Sequence, residues 1–188
     1  MKKHLTTLVV LLVPLLYINA QMSDREKFLE AYYLMDEKRF TEALPFLNEL
    51  HESRPDNANL NFNIGVALLN SADIKEKSKA LAYFEKAIPF VSPNYTPYSP
   101  KEKRAPVDAY YYYGLTQHAD YQFDEAKESF EKFKTYINEK HYLYKDVDLR
   151  IAMTAFAKQA IANPREVEIT NLGPKLNSKY SEISPVVR

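Results

Sequence analysis

The stretch Asn61-Phe62-Asn63-Ile64-Gly65-Val66-Ala67-Leu68-Leu69, followed after a polar interval by Ala80-Leu81-Ala82-Tyr83-Phe84-Glu85-Lys86-Ala87, decides the fold. Its first half puts Leu60, Ile64, Ala67 and Leu68 on one helical face around a mid-helix glycine. Its second half carries a small residue, an aromatic four positions on, and a further apolar residue. The same signature recurs as Ala43-x3-Leu47-x2-Leu50 and as Ala126-x3-Phe130-x2-Phe133. Each copy follows a helical segment with a small residue in its middle: Ala31, Gly65 and Gly114. The step from Ala31 to Gly65 is 34 residues, which is the length of a helix pair that must stack on its neighbours to bury its apolar face.

Working outward, Ser23-Asp24-Arg25-Glu26 reads as a capping box opening the first pair, with Phe28, Ala31, Tyr32, Leu34 and Met35 at helical spacing. A polar turn at Asp36–Arg39 leads to a second helix from Thr41 to about Ser53, stopped by Pro55-Asp56-Asn57. The second pair has its partner helix over Lys77–Phe90. Residues 91–106 hold four prolines and three serines or threonines, so they form a loop with little regular structure; this insert stretches Gly65 to Gly114 to 49 residues. The third pair covers Val107–Ala119 and Phe123 to about Asn138. A last helix, Tyr144–Ile161, has Val147, Ile151, Ala155 and Phe156 apolar and is expected to cover the end of the array before Asn163-Pro164 ends it.

Over residues 23–140 this pattern resembles the tetratricopeptide repeat family. Pro55 stands at the family's terminal proline, Gly65 and Gly114 at its small first-helix position, and Ala43, Ala80 and Ala126 at its small second-helix position. The resemblance implies an all-α fold: helical hairpins stacked as a short right-handed solenoid, spanning 21–162 with its capping helix and followed by an extended tail, 163–188.

Composition narrows the chemistry. The chain has 25 basic and 25 acidic residues, so no net field draws it to nucleic acid. It has no cysteine and three glycines, which removes thiolate chemistry and glycine-rich phosphate loops. His51, His118 and His141 are far apart, without metal-ligand spacing, and His118 reads as a helix-surface residue. Asp124-Glu125 and Asp146/Asp148 fall at helix starts, where they read as dipole-complementing caps and not as an acid/base pair. No nucleophile motif is present. The expectation is a non-enzyme without cofactor or metal.

The N-terminus has a basic opening (Lys2, Lys3), an apolar run Leu5–Tyr17 interrupted by Pro14, and small residues up to Ala20. It reads as a signal peptide, 1–20, and places the mature chain outside the cytoplasm; the run is shorter than the roughly 20 residues that span a bilayer. At the other end Arg165–Thr170 alternates polar and apolar as a strand does. The Asn171-Leu172-Gly173 turn, Asn177-Ser178-Lys179-Tyr180-Ser181-Glu182 and Ser184-Pro185-Val186 resemble the opening of a TolB-like β-propeller. In one group of Bacteroidota envelope proteins a signal peptide and tetratricopeptide repeats lead into such a propeller and then an OmpA-like peptidoglycan-binding domain; the proline-rich insert followed by Ala105–Tyr110 fits the same group. That resemblance implies a fragment ending at the start of a propeller. It also implies periplasmic, outer-membrane-associated placement, and contact with peptidoglycan or outer membrane only through the absent C-terminal domains. Envelope integrity or type IX secretion is the implied context.

The family's groove-facing positions fall on Phe28, Tyr32 and Met35, on Phe62, Val66 and Leu69, and on Tyr111, Leu115 and His118. These nine are the expected partner-binding groove for envelope proteins. The groove lacks, at Phe28 and Tyr32, the Lys and Asn with which chaperone-binding members clamp a peptide carboxylate. Its apolar lining suits an extended or helical segment of a partner, unless the proline-rich loop or the missing propeller covers it. A glycan- or peptide-binding module, or an accessory domain of a larger enzyme, is the alternative reading. The four tyrosines Tyr110–Tyr113 point in different directions on a helix and cannot make one flat platform.

Overall fold

The computed structural model describes residues 22–71 and 74–166. The expected signal peptide and residues 167–188 of the expected tail lie outside them. Among the described residues the chain is helical throughout: α1 Asp24–Asp36, α2 Phe40–Ser53, α3 Ala58–Leu69, α4 Ile74–Lys77, α5 Ala80–Ala87, α6 Asp108–Ala119, α7 Phe123–Lys134 and α8 Tyr144–Ala162. A 3-10 turn, Ile88–Phe90, extends α5. The long helices pack in chain order: α1 on α2, α2 on α3, α3 on α5, α5 on α6, α6 on α7 and α7 on α8.

Local sequence explains the ends. At α1 the Ser23 hydroxyl accepts from the Glu26 N–H at 3.3 Å, while the Glu26 carboxylate accepts from the Ser23 N–H at 2.8 Å, so the capping box is formed. Asn57 caps α3 by accepting from the Leu60 N–H at 3.0 Å. Two of the hairpin turns are built alike. Lys38 (φ 59°) and Tyr121 (φ 64°) are both left-handed, and the residue after each donates its N–H five residues back, Arg39 to Leu34 at 2.8 Å and Gln122 to Gln117 at 2.9 Å.

The hairpins close on their small residues. A Cβ placed on Gly65 would lie 2.8 Å from the Phe84 ring, and one placed on Gly114 would lie 2.8 Å from the Phe130 ring. Both phenyl groups are fully buried. In the first pair the corresponding positions hold Ala31 and Leu47, also fully buried; a smaller second-helix side chain goes with a larger first-helix one. Where α3, α5, the end of the insert and α6 meet, the core is four alanines, Ala58, Ala87, Ala105 and Ala109.

Two boundaries and one helix face differ from simple expectation. The partner of α3 is not one helix from Lys77, because the short α4 precedes a break at Ser78-Lys79 and α5 starts at Ala80. Helix α7 stops at Lys134, four residues before Asn138. In α8, Val147 and Thr154 are buried, but Ala155 and Phe156 face away from the array, with Phe156 72% exposed. Asp124, Glu125 and Asp146 lie in the first turns of α7 and α8, as expected, whereas Asp148 lies deeper in α8. Three of the four acids also reach other helices: Asp124 takes the Lys158 ammonium at 2.6 Å, Asp148 pairs with Lys134, and Asp146 accepts from Tyr111 as well as from Arg150 within α8.

An alanine for glycine normally stabilises a helix interior by about 0.5–1 kcal/mol. At Gly114 the buried ring reverses the sign: Gly114→Ala is expected to lower stability by about 1–3 kcal/mol through overpacking. In a Phe130→Leu background the same change is expected to be neutral or stabilising. Denaturant melts of the four proteins measure the coupling, and a higher midpoint for Gly114→Ala alone contradicts the packing.

Candidate functional site

The expected groove is partly core. Phe28, Tyr32, Val66 and Tyr111 are buried, whereas Met35, Phe62, Leu69, Leu115 and His118 are half-buried. The four buried residues are therefore not a partner surface. Tyr111 turns away toward the end of the array. Its hydroxyl donates to Asp146 on α8, and its ring meets Phe130 and Phe133. Burial and the Asp146 carboxylate push the Tyr111 hydroxyl up to about 12. Against the upward push of its own burial, hydrogen bonds from Tyr111 and Arg150 hold Asp146 below its ordinary value. The α6 aromatic that packs on α3 is Tyr112, whose ring lies 5.9 Å from Phe62 and stacks at 6.3 Å on Phe84 of α5. His118 packs its ring edge on Phe123 at 5.3 Å, and its Nε2 is buried without a hydrogen-bond partner. It is not a plain surface residue.

Over Tyr32 sits the proline-rich insert. The Tyr95 hydroxyl lies 2.8 Å from the Tyr32 hydroxyl and donates to Asn59 Oδ1 at 3.0 Å. Asn63 Nδ2 donates to Tyr32 at 3.0 Å and to the Asn59 carbonyl at 2.7 Å. Tyr98, itself left-handed at φ 57°, places its ring edge-on to Tyr32 at 5.4 Å. Hydrogen-bond donation can run in one direction, from Asn63 to Tyr32, from Tyr32 to Tyr95 and from Tyr95 to Asn59, so each buried donor in that chain meets an acceptor. Burial raises both hydroxyls, and the neighbouring Tyr32 and Glu102 add to the rise at Tyr95; both tyrosines stay neutral donors. The loop has little regular structure, as expected, yet it has a fixed place in the groove.

Glu102 fixes that place. Its buried carboxylate accepts five hydrogen bonds: from the N–H groups of Thr96, Lys103 and Arg104 at 2.8, 2.9 and 2.9 Å, and from two guanidinium nitrogens of Arg104 at 2.8 Å each. The Arg104 pairing, reinforced by the backbone bonds, holds the carboxyl well below the usual range despite its burial. The base of the insert is closed by an isolated parallel bridge between Val91 and Ala105. It also feeds the start of α3: Ala58 N–H donates to the Lys103 carbonyl at 3.1 Å, and Asn57 Nδ2 donates to the Glu102 carbonyl at 3.2 Å. A carboxylate so strongly held in its charged form acts as a lock and not as a switch near neutral pH.

Sequence reasoning missed the asparagines. Asn59, Asn61 and Asn63 are all buried on α3, where asparagine is a poor helix former without packing reasons. Asn61 ties the α2–α3 turn by donating to the Pro55 and Asn57 carbonyls at 2.8 and 3.0 Å, and its Oδ1 lies 3.2 Å from His51 Nε2. The alternation Asn57-x-Asn59-x-Asn61-x-Asn63 in an otherwise apolar helix is the signal that could have found the network. Among the described residues no group of three or more His, Cys, Asp or Glu could hold a metal, and no helix is long and apolar enough to cross a membrane.

Glu102→Gln is expected to cost about 1–3 kcal/mol, since it removes the charge from a set of buried hydrogen bonds. The partly exposed Arg104 contributes less of this than the backbone donors. Because the folded carboxyl titrates below its ordinary value of 4.5, its contribution is complete above that pH and is lost as pH falls toward the folded value. Urea melts of wild type and variant are therefore expected to differ at pH 7 and to converge under acid; an equal gap at both pH values contradicts the lock.

No protein-family model matches the chain, and no curated protein matches it.

Proposed function

We propose that the chain is a non-catalytic protein–protein interaction scaffold. It is a short tetratricopeptide-type solenoid of three helical hairpins closed by α8, and it works in the periplasm as the N-terminal part of an outer-membrane- or peptidoglycan-associated protein of the OmpA-like group. The repeated seating of a second-helix phenylalanine against a first-helix glycine supports the solenoid reading, because it gives two hairpins one geometry at matching sequence positions. The equivalent left-handed turns at Lys38 and Tyr121 extend the match to the first hairpin. Export and the envelope context rest on the N-terminal pattern and on the resemblance of the tail.

One observation carries the scaffold reading: the array ends on an apolar face. Leu149, Met153 and Phe156 lie on the α8 stripe opposite Val147 and Thr154, and are 54%, 41% and 72% exposed. The charged neighbours Asp146, Asp148 and Lys158 are engaged with Arg150, Lys134 and Asp124 on or toward the array. An apolar helix face of this kind takes an amphipathic segment of another protein. With Tyr32 covered by the insert, α8 replaces the first-repeat groove as the docking element.

The expected result is that the chain captures a defined set of envelope proteins from detergent-solubilised membranes and that Met153→Lys/Phe156→Lys loses them with an unchanged melting temperature. Capture of the same proteins by both chains, or of none by the wild type, overturns the reading.

A further inference from the structure

A second groove lies on another face of α6. Its floor is Tyr110, Tyr113 and Gln117, one turn apart along the helix, with Ile88 of the 3-10 turn on one side and α7 on the other. The void is about 360 Å³, within the range of small-ligand sites and enough for one or two side chains. The floor is rigid. Gln117, 4% exposed, accepts from the buried Ser129 hydroxyl at 2.6 Å. Tyr110 stacks on Tyr136 at 5.9 Å with the planes 11° apart.

The charges on the walls are one-sided. Glu125 and Glu128 line the α7 wall, and Glu85 of α5 acts with Glu125 on the Tyr113 hydroxyl, which burial raises first and these two carboxylates raise further. Among the described residues none of the three carboxylates has an ion-pair partner. The groove's cation, Lys132, sits over the Tyr136 ring at 5.6 Å. Because α6 and α7 run antiparallel, that places it toward the Tyr110 end, away from Glu125. The Tyr113 end thus combines an aromatic side chain with carboxylates that have no ion-pair partner among the described residues.

We propose that this groove binds a cationic side chain, arginine above lysine, of a partner polypeptide. The guanidinium lies on the Tyr113 ring and pairs with Glu125 and Glu128. A planar cation gains from the ring face and from two carboxylates at once, which an ammonium matches less well. The groove is a different surface from the α8 stripe, so the two can be engaged independently.

Acetyl-tetra-arginine amide is the probe, followed by calorimetric titration into the full chain, with acetyl-tetraglutamate amide as control. Saturable binding below about 1 mM is expected. The affinity should fall at least tenfold in Glu125→Gln/Glu128→Gln and weaken steeply with added salt. Tyr113→Phe, which keeps the ring, should bind as wild type, and Tyr113→Leu should lose binding. The two glutamates are exposed, so their replacement leaves the fold intact even if Tyr113→Leu does not fold. No saturation by the arginine peptide, or equal affinity in the Glu→Gln double variant, overturns the proposal.

Discussion

The seating of a phenyl ring on a bare glycine Cα is the contact on which the rest of the structure depends. A glycine in a helix interior costs about 1 kcal/mol against alanine, whereas removing a buried phenylalanine side chain costs about 3–5 kcal/mol. Giving up the first secures the second, since a methyl at Gly65 or Gly114 would lie 2.8 Å from ring carbons. The exchange sets how closely α3 approaches α5 and α6 approaches α7. That spacing fixes where α6 meets α3, and so where Tyr112 can pack against the touching rings of Phe62 and Phe84.

From that spacing follows the place of the proline-rich insert. The insert runs from the end of α5 to the start of α6, and its base is bonded to the start of α3. Buried asparagines on α3 meet its tyrosine hydroxyl, and Glu102 gathers its backbone N–H groups around one carboxylate. Around Tyr32 the buried polar groups of the groove are satisfied within the chain. On the scaffold reading proposed above, partner contacts fall on surfaces that the insert does not reach: the outer stripe of α8, and the aromatic-acidic groove between α6 and α7.

Much of the helical order was legible in the residues, for a physical reason. Apolar spacing, the capping box at Ser23 and the prolines after α2 and α8 act locally, and local rules place helices well. The small positions Ala31, Gly65 and Gly114 were legible because close packing leaves no choice of residue there. What was not legible depends on long-range partners. The buried roles of Asn59 and Asn63 escaped the sequence because their partners are distant: Tyr95 reaches Asn59 from 36 residues away, and Tyr32 accepts from Asn63 across 31. Tyr111 and Tyr112 could not be told apart before α8 supplied Asp146. The break between α4 and α5 and the early end of α7 likewise depend on tertiary packing and not on apolar spacing alone.

The most direct measurement is the nuclear Overhauser contact between the glycine Hα protons and the phenylalanine rings. The chain has three glycines, so Gly65 and Gly114 are readily assigned. Strong contacts from Gly65 Hα to the Phe84 ring and from Gly114 Hα to the Phe130 ring are the predicted result. Their absence, with either ring giving contacts only to other side chains, would contradict the account.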